Sequence, residues 1–180
     1  MVLIGICGKA RSGKDSATEY LVEDRGFARY SMADPIRNML SQIGVFYDTD
    51  SEKESPHKVL GKSPRQMMQT LGTEWGRDCV DKDIWLKLGQ EAVSKAALRS
   101  YPGVVIPDIR FQNEANWVKE NGTLIQIVRP DNVEVSPHSS EGGVQGSDYV
   151  VHNNGSLGDL YRELDNIMEK VSAKEKTLST

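Results

Sequence analysis

Apolar positions along the chain fall into two alternating patterns. Val2–Cys7 (VLIGIC), Gly103–Ile106 (GVVI) and Thr123–Val128 (TLIQIV) are short, nearly unbroken apolar runs. Such runs predict strands covered on both faces, as in a parallel sheet. Phe27–Ser31 and Tyr149–Val151 predict two further strands. Between the runs the spacing becomes helical. A helix from Lys14 to about Asp24 carries Ala17, Tyr20 and Leu21 on one side and stops at Gly26. Pro35 opens a second through Ile36, Leu40 and Ile43. Pro64 opens a third, with Met68, Leu71 and Trp75 on one stripe, and Asp83 caps a fourth through Trp85, Leu88, Ala92 and Ala96. Residues 112–121 predict a short helix ending at Asn121-Gly122. Asn153-Asn154-Gly155 turns the chain. Ser156 and Asp159 then start a last helix with the stripe Leu157, Leu160, Leu164, Ile167, Met168 and Val171. Residues 44–62 and 130–147 read as loops, the second as a lid, and the closing KEKTLST is expected to fray. Strands alternating with helices over one 180-residue chain, without repeat or linker, predict a single α/β domain around a mainly parallel sheet.

The first strand runs straight into Gly8, Lys9, Ala10, Arg11, Ser12, Gly13, Lys14, Asp15 and Ser16. Gly8 and Gly13-Lys14 are the frame of a phosphate-binding loop, set as that motif requires between a buried strand and a helix. Backbone N–H groups turn inward on phosphate oxygens, the helix start favours negative charge, and Lys14 reaches the β- and γ-phosphates. The motif wants a hydroxyl after the lysine, as a Mg²⁺ ligand, and Asp15 stands there with Ser16 one step late. A carboxylate is at least as good an oxygen ligand for Mg²⁺ as a hydroxyl. Asp15 therefore either serves the metal of a bound nucleotide or is a plain acid in a first helical turn.

Composition narrows the partners. A net charge of −4 and 27% charged residues argue against a nucleic-acid polymer as partner and leave room for a local phosphate pocket. Cys7 and Cys79 have neither metal-ligand nor disulfide spacing, which fits a reducing cytosol. The apolar start is too short for a signal peptide. No stretch nears the roughly 20 apolar residues of a membrane span. The expectation is a cytoplasmic protein.

Ligands of open α/β sheets bind beyond the carboxyl ends of the strands. Asp108 and Arg110 follow the strand GVVI, and Arg129 ends TLIQIV, all at the edge that carries the glycine loop. Asp108 can hold Mg²⁺ or its waters or act as a base, and Arg110 can clamp a phosphate; an internal Asp–Arg pair is the plainer alternative. Arg37 lies in the first turn of the Pro35 helix. In TEWGRD (73–78), Trp75 and Arg77 can stack a base and bind its phosphate, although Trp75 taken alone continues a core stripe. His138, Ser140 and Glu141 in the lid receive no catalytic role.

Taken together, GKARSGKDS (8–16), SMADPIR (31–37), TEWGRD (73–78), PDIRFQNEA (107–115) and HSSE (138–141) resemble the bacteriophage and bacterial deoxynucleoside monophosphate kinases, from Leu3 to about Leu164. An Asp after the loop lysine is a habit of that family, shared with animal-type phosphomevalonate kinases. The resemblance implies a nucleoside-monophosphate-kinase-like fold, with a five-stranded parallel sheet in the order 2-3-1-4-5, helices on both faces and a short lid. It implies transfer of the ATP γ-phosphate to a deoxynucleoside monophosphate. Residues 8–16 would cradle ATP, with Asp15 and Ser16 on Mg²⁺. Arg37, Trp75, Arg77, Asp108 and Arg110 would line an acceptor region within about 33–100 and beyond it, supported by Glu114. One departure stands out. Residues 130–147 hold no arginine to lower onto the transferring phosphoryl group, so Arg129, Arg11, Arg110 or Arg162 must supply that charge. Alternatives are another phosphorylated acceptor, phosphomevalonate- or dephospho-coenzyme-A-like, or a nucleotide-binding regulator without turnover. A homodimer is left open.

Overall fold

The computed structural model describes residues 1–130 and 144–178, so most of the expected lid, 131–143, lies outside the described residues. Contacts gather the chain into two compact units, Met1–Ser31 with Glu91–Thr180, and Met32–Gln90.

The first unit carries all five described strands: β1 (Val2–Cys7), β2 (Ala28–Arg29), β3 (Gly103–Ile106), β4 (Thr123–Val128) and β5 (Tyr149–His152). They form one parallel sheet in the order β2-β3-β1-β4-β5, as expected. β1 is central, with Ile4 opposite Val105 of β3 and Thr123 of β4. Ile4 and Ile6 face helices α1 (Lys14–Glu23) and α7 (Leu157–Leu178), where they join Ala17, Leu21, Leu160, Leu164 and Ile167 in one buried cluster. Each leucine or isoleucine among them contributes about 1.5–3 kcal/mol when fully buried. Helix α6 (Gln112–Asn121) packs against β1 and β4, with Val118 over Gly5. Since side chains alternate along a strand, α6 covers the face opposite α1 and α7.

Two boundaries in this unit differ from expectation. β2 is two residues long rather than five. Tyr30 still donates its N–H to Val105, but Ser31 leaves the ladder and turns its hydroxyl to Asp108. Helix α7 continues to Leu178, through most of the segment expected to fray, while Leu157 at its start is exposed.

The second unit is helical: α2 (Asp34–Gln42), α3 (Asp50–Glu54), α4 (Pro64–Gln69), a π-helical stretch Thr70–Val80, and the first residues of α5 (Ile84–Ala97). Helix α3 lies inside the segment read as a loop. Its start is a capping box in which Thr49 accepts from the Glu52 N–H and Glu52 from the Thr49 N–H. The T-x-x-E signature was legible in the sequence.

The π-helical stretch corrects the Met68/Leu71/Trp75 stripe. Its bonds reach five residues back, as from the Asp81 N–H to the Gly76 carbonyl, so a 3.6-residue period loses register there. Trp75 is consequently 41% exposed rather than in the core. Trp85 takes the interior position, 3% exposed, with its indole N–H donating to the Gly72 carbonyl at 2.7 Å. A Cβ on Gly76 would stand 2.4 Å from the Trp85 ring and 2.9 Å from the Leu71 carbonyl. Gly76→Ala is therefore expected to cost about 1–3 kcal/mol, as overpacking does, lowering the melting temperature by several degrees. A melt indistinguishable from the parent's would show that Trp85 does not wedge this stretch.

Candidate active site

The loop after β1 leads directly into the start of α1. Gly13 is the N-cap of α1 in the left-handed region (φ 103°), and no side chain caps that helix. The N–H groups of the first turn have no partner within the helix, so the start of α1 offers donors and a positive dipole end to an anion. Gly8 (φ 142°) touches β4 so closely that a Cβ would stand 2.3 Å from the Ile127 carbonyl oxygen. Arg11 (φ 60°) has the only positive φ outside glycine among the described residues, a conformation that costs an L-residue on the order of 1–2 kcal/mol. Ser12 is buried, and its Oγ has no hydrogen-bond partner among the described residues. Lys14, the first residue of α1, folds its ammonium onto the Lys9 carbonyl at 2.6 Å.

Asp15 and Ser16 occupy the same first turn, Asp15 exposed and Ser16 half-buried. No group of three or more His, Cys, Asp or Glu among the described residues could hold a metal alone. One carboxylate and one hydroxyl beside a phosphate cradle suit an ion that keeps several waters and takes its remaining oxygens from phosphates. Burial pushes the Cys7 thiol up to about 11, against the opposing charge of Lys14. It is protonated at neutral pH and lies in the buried core.

Because the sheet is parallel, the segments after β1, β3, β4 and β5 leave from one edge. Asp108 follows β3 and accepts from the buried Ser31 hydroxyl at 2.6 Å. Arg110 is exposed. Glu114, 1% exposed, accepts the Arg110 and Phe111 N–H groups at 3.0 and 3.1 Å. It thus ties down the turn that presents Arg110. Arg129 is exposed directly after β4. Arg162, on α7, pairs with Asp159 at 3.0 Å.

A deoxynucleotide monophosphate kinase family model matches residues 2–62 and 61–164. The chain belongs to this family. As a member of the deoxynucleotide monophosphate kinases it is a phosphotransferase that uses ATP and a small nucleotide. A relative described by the same name, from Acanthamoeba polyphaga mimivirus, is 33% identical over 190 aligned positions, covering 96% of this chain and 98% of its own. The deoxynucleotide monophosphate kinase of Enterobacteria phage T4 is 23% identical, covering 94% and 99%. Among solved structures, shikimate kinase of Aquifex aeolicus (TM-score 0.55, 14% identity, 96% and 99% covered) and dephospho-CoA kinase of Campylobacter jejuni (0.54, 13%, 96% and 98%) share the fold.

The kinase's remaining expected site residues lie in the second unit. Arg37 bonds Asp34 at 2.7 Å and the Tyr47 hydroxyl at 3.2 Å. Arg77 donates to the Lys82 carbonyl at 3.0 Å, and Trp75 exposes its ring from the π-helical stretch. Two residues of the first unit escaped sequence reasoning. Ser31 lies inside the quoted SMADPIR, yet only its contact with Asp108 marks it. Asn153, read as a turn former, reaches the glycine loop. Its signal was an amide directly after an edge-terminating strand. Among the described residues no helix is long and apolar enough to cross a membrane.

Proposed function

We propose that the chain transfers the ATP γ-phosphate to a deoxynucleoside monophosphate, giving the diphosphate and ADP, and that residues 1–180 act as a single kinase domain. The observation that carries this reading is the uncapped start of α1, with Lys14 in its first turn, at the carboxyl edge of a parallel sheet. Residues 8–16 bind the donor phosphates. An oxygen of the acceptor phosphate attacks the γ-phosphorus, and the bond to the β–γ bridging oxygen breaks. A phosphate monoester has its second pKa near 6 and is mostly dianionic at neutral pH. The attack therefore requires no general base, and Asp108, oriented by Ser31, orders the metal's waters or the acceptor instead. Lys14, Arg110 and Arg129 stabilise the charge on the transferring group, a task left to them and to Arg11 by the arginine-free 130–147 segment. Arg37, Trp75, Arg77, Arg110 and Glu114 serve the acceptor. The family favours this acceptor over the phosphomevalonate- and dephospho-CoA-like alternatives. The protein is read as cytoplasmic, without a nucleic-acid partner; a homodimer is compatible with this reading.

Mg²⁺ fits the donor set, with Asp15 and Ser16 as its protein oxygens, and when bound it supplies charge neutralisation across the β- and γ-phosphates. Without a cation the Asp15 carboxylate repels a triphosphate. Asp15→Ser is expected to bind metal-free ATP at least as well as the parent and to gain less on adding Mg²⁺. Calorimetric titrations with Mg²⁺ and with chelator read both. An equal Mg²⁺-dependent gain in the two proteins makes Asp15 a helix-start acid only.

ADP release coupled to a panel of deoxynucleoside monophosphates, phosphomevalonate and dephospho-coenzyme A tests the reaction. Turnover with the deoxynucleotides is expected to dominate. Turnover confined to another acceptor, or none at all, rejects the proposal.

A further inference from the structure

The side chain of Asn153 lies against the phosphate loop. Its Nδ2 donates to the Ser12 carbonyl at 2.9 Å, and its own backbone N–H is anchored on the Val128 carbonyl at 2.8 Å. The approach is close, since a Cβ on Gly13 would stand 2.2 Å from that Nδ2. Glycine at position 13 thus answers two demands at once, the left-handed backbone and room for Asn153. The Ser12–Gly13 peptide is trans, as is every described peptide, and in a trans peptide the carbonyl and the following N–H point in opposite directions. Holding the Ser12 carbonyl on Asn153 therefore turns the Gly13 N–H away from Asn153. Ser12 itself is buried, and its hydroxyl lacks a hydrogen-bond partner among the described residues.

We infer that Asn153 is a positioning residue for the phosphate cradle: by holding the Ser12 carbonyl it sets the Ser12–Gly13 peptide so that its N–H donates to a bound polyphosphate. The inference rests on the reading of residues 8–16 as the ATP site. Asn153 acts through the loop and touches no reacting atom. It also ties the loop after β5 to the one after β1, two segments 141 residues apart in sequence.

The test measures affinity for inorganic tripolyphosphate and for ATP, with Mg²⁺ present, in the parent, Asn153→Ala, Asn153→Leu and Lys14→Ala. Tripolyphosphate carries no nucleoside, so it reads the cradle alone. Asn153→Leu keeps the volume, offers no N–H donor and adds no charge, which guards against a packing defect in the alanine variant. Both Asn153 variants are expected to weaken tripolyphosphate and ATP by the same factor, about tenfold, the loss of one charge-assisted contact. The acceptor KM is expected to stay at the parent value, a split that a general loss of structure would not produce. Loss of ATP affinity with tripolyphosphate unchanged overturns the inference, because Asn153 then acts on the nucleoside. Parent-like affinity for both ligands overturns it as well. If Lys14→Ala binds tripolyphosphate as the parent does, the ATP-site reading fails instead.

Discussion

Lys14→Ala is expected to lower kcat by about 10²–10³-fold while leaving the protein folded. Removing one preorganised donor from developing transition-state charge typically costs that much, and Lys14 supplies a full positive charge at the start of α1. Its ammonium rests on the Lys9 carbonyl, a neutral acceptor. An incoming triphosphate offers stronger, charged acceptors, so the side chain exchanges one for the other without rearranging the helix. Folding depends little on it. The buried cluster that joins α1 to the sheet uses Ala17 and Leu21, and Thr18 reaches the Lys14 carbonyl, which alanine retains. A further consequence is local: without the Lys14 charge, the Cys7 thiol loses the one influence that lowers its pKa and stays protonated. Steady-state turnover and a thermal melt on the same preparation check the expectation. A variant with parent-like turnover removes the loop from the donor site. A variant that fails to fold contradicts the argument that α1 is held by its apolar face.

The sheet was legible because it is written in a simple code. VLIGIC, GVVI and TLIQIV are buried on both faces, and strands of that kind need only apolar length. The loop was legible for a different reason: its glycines answer backbone demands, a left-handed φ at Gly13 and contact with the Ile127 carbonyl at Gly8, that few other residues meet. The strand order came from the family resemblance and not from periodicity. What escaped was non-local. A π-helical stretch obeys neither period, so Trp75 was read onto a stripe it does not share, while Trp85 filled the space that Gly76 leaves open and bonded the Gly72 carbonyl. Ser31 and Asn153 each act across long separations, on Asp108 and on Ser12, and a polar side chain's distant partner leaves no mark in local spacing. Glu114 lies between these cases. It was singled out as support for the acceptor residues, and its buried carboxylate caps the turn bearing Arg110.

That cap allows the role of Arg110 to be separated from the stability of its turn. Arg110→Ala removes an exposed guanidinium but leaves the backbone N–H groups on Glu114. The melting temperature is expected to stay within a degree or two of the parent's, since exposed substitutions are usually worth less than about 0.5 kcal/mol. Acceptor kinetics should change far more. A charge-assisted contact to phosphate is worth roughly 1.5–3 kcal/mol, so kcat/KM for the deoxynucleoside monophosphate should fall about ten- to a hundredfold, with the ATP dissociation constant unchanged. Arg110→Lys is expected to recover only part of the loss, because a lysine keeps the charge but not the two-pronged geometry. Glu114→Gln serves as the contrast. It weakens the hold on both N–H groups, so it should lower stability and acceptor kcat/KM together. Titrating each substrate separately against all three variants decides between the assignments. Weakened ATP binding in Arg110→Ala, with the acceptor unaffected, places this arginine on the donor. A full rescue by lysine reduces it to a source of charge.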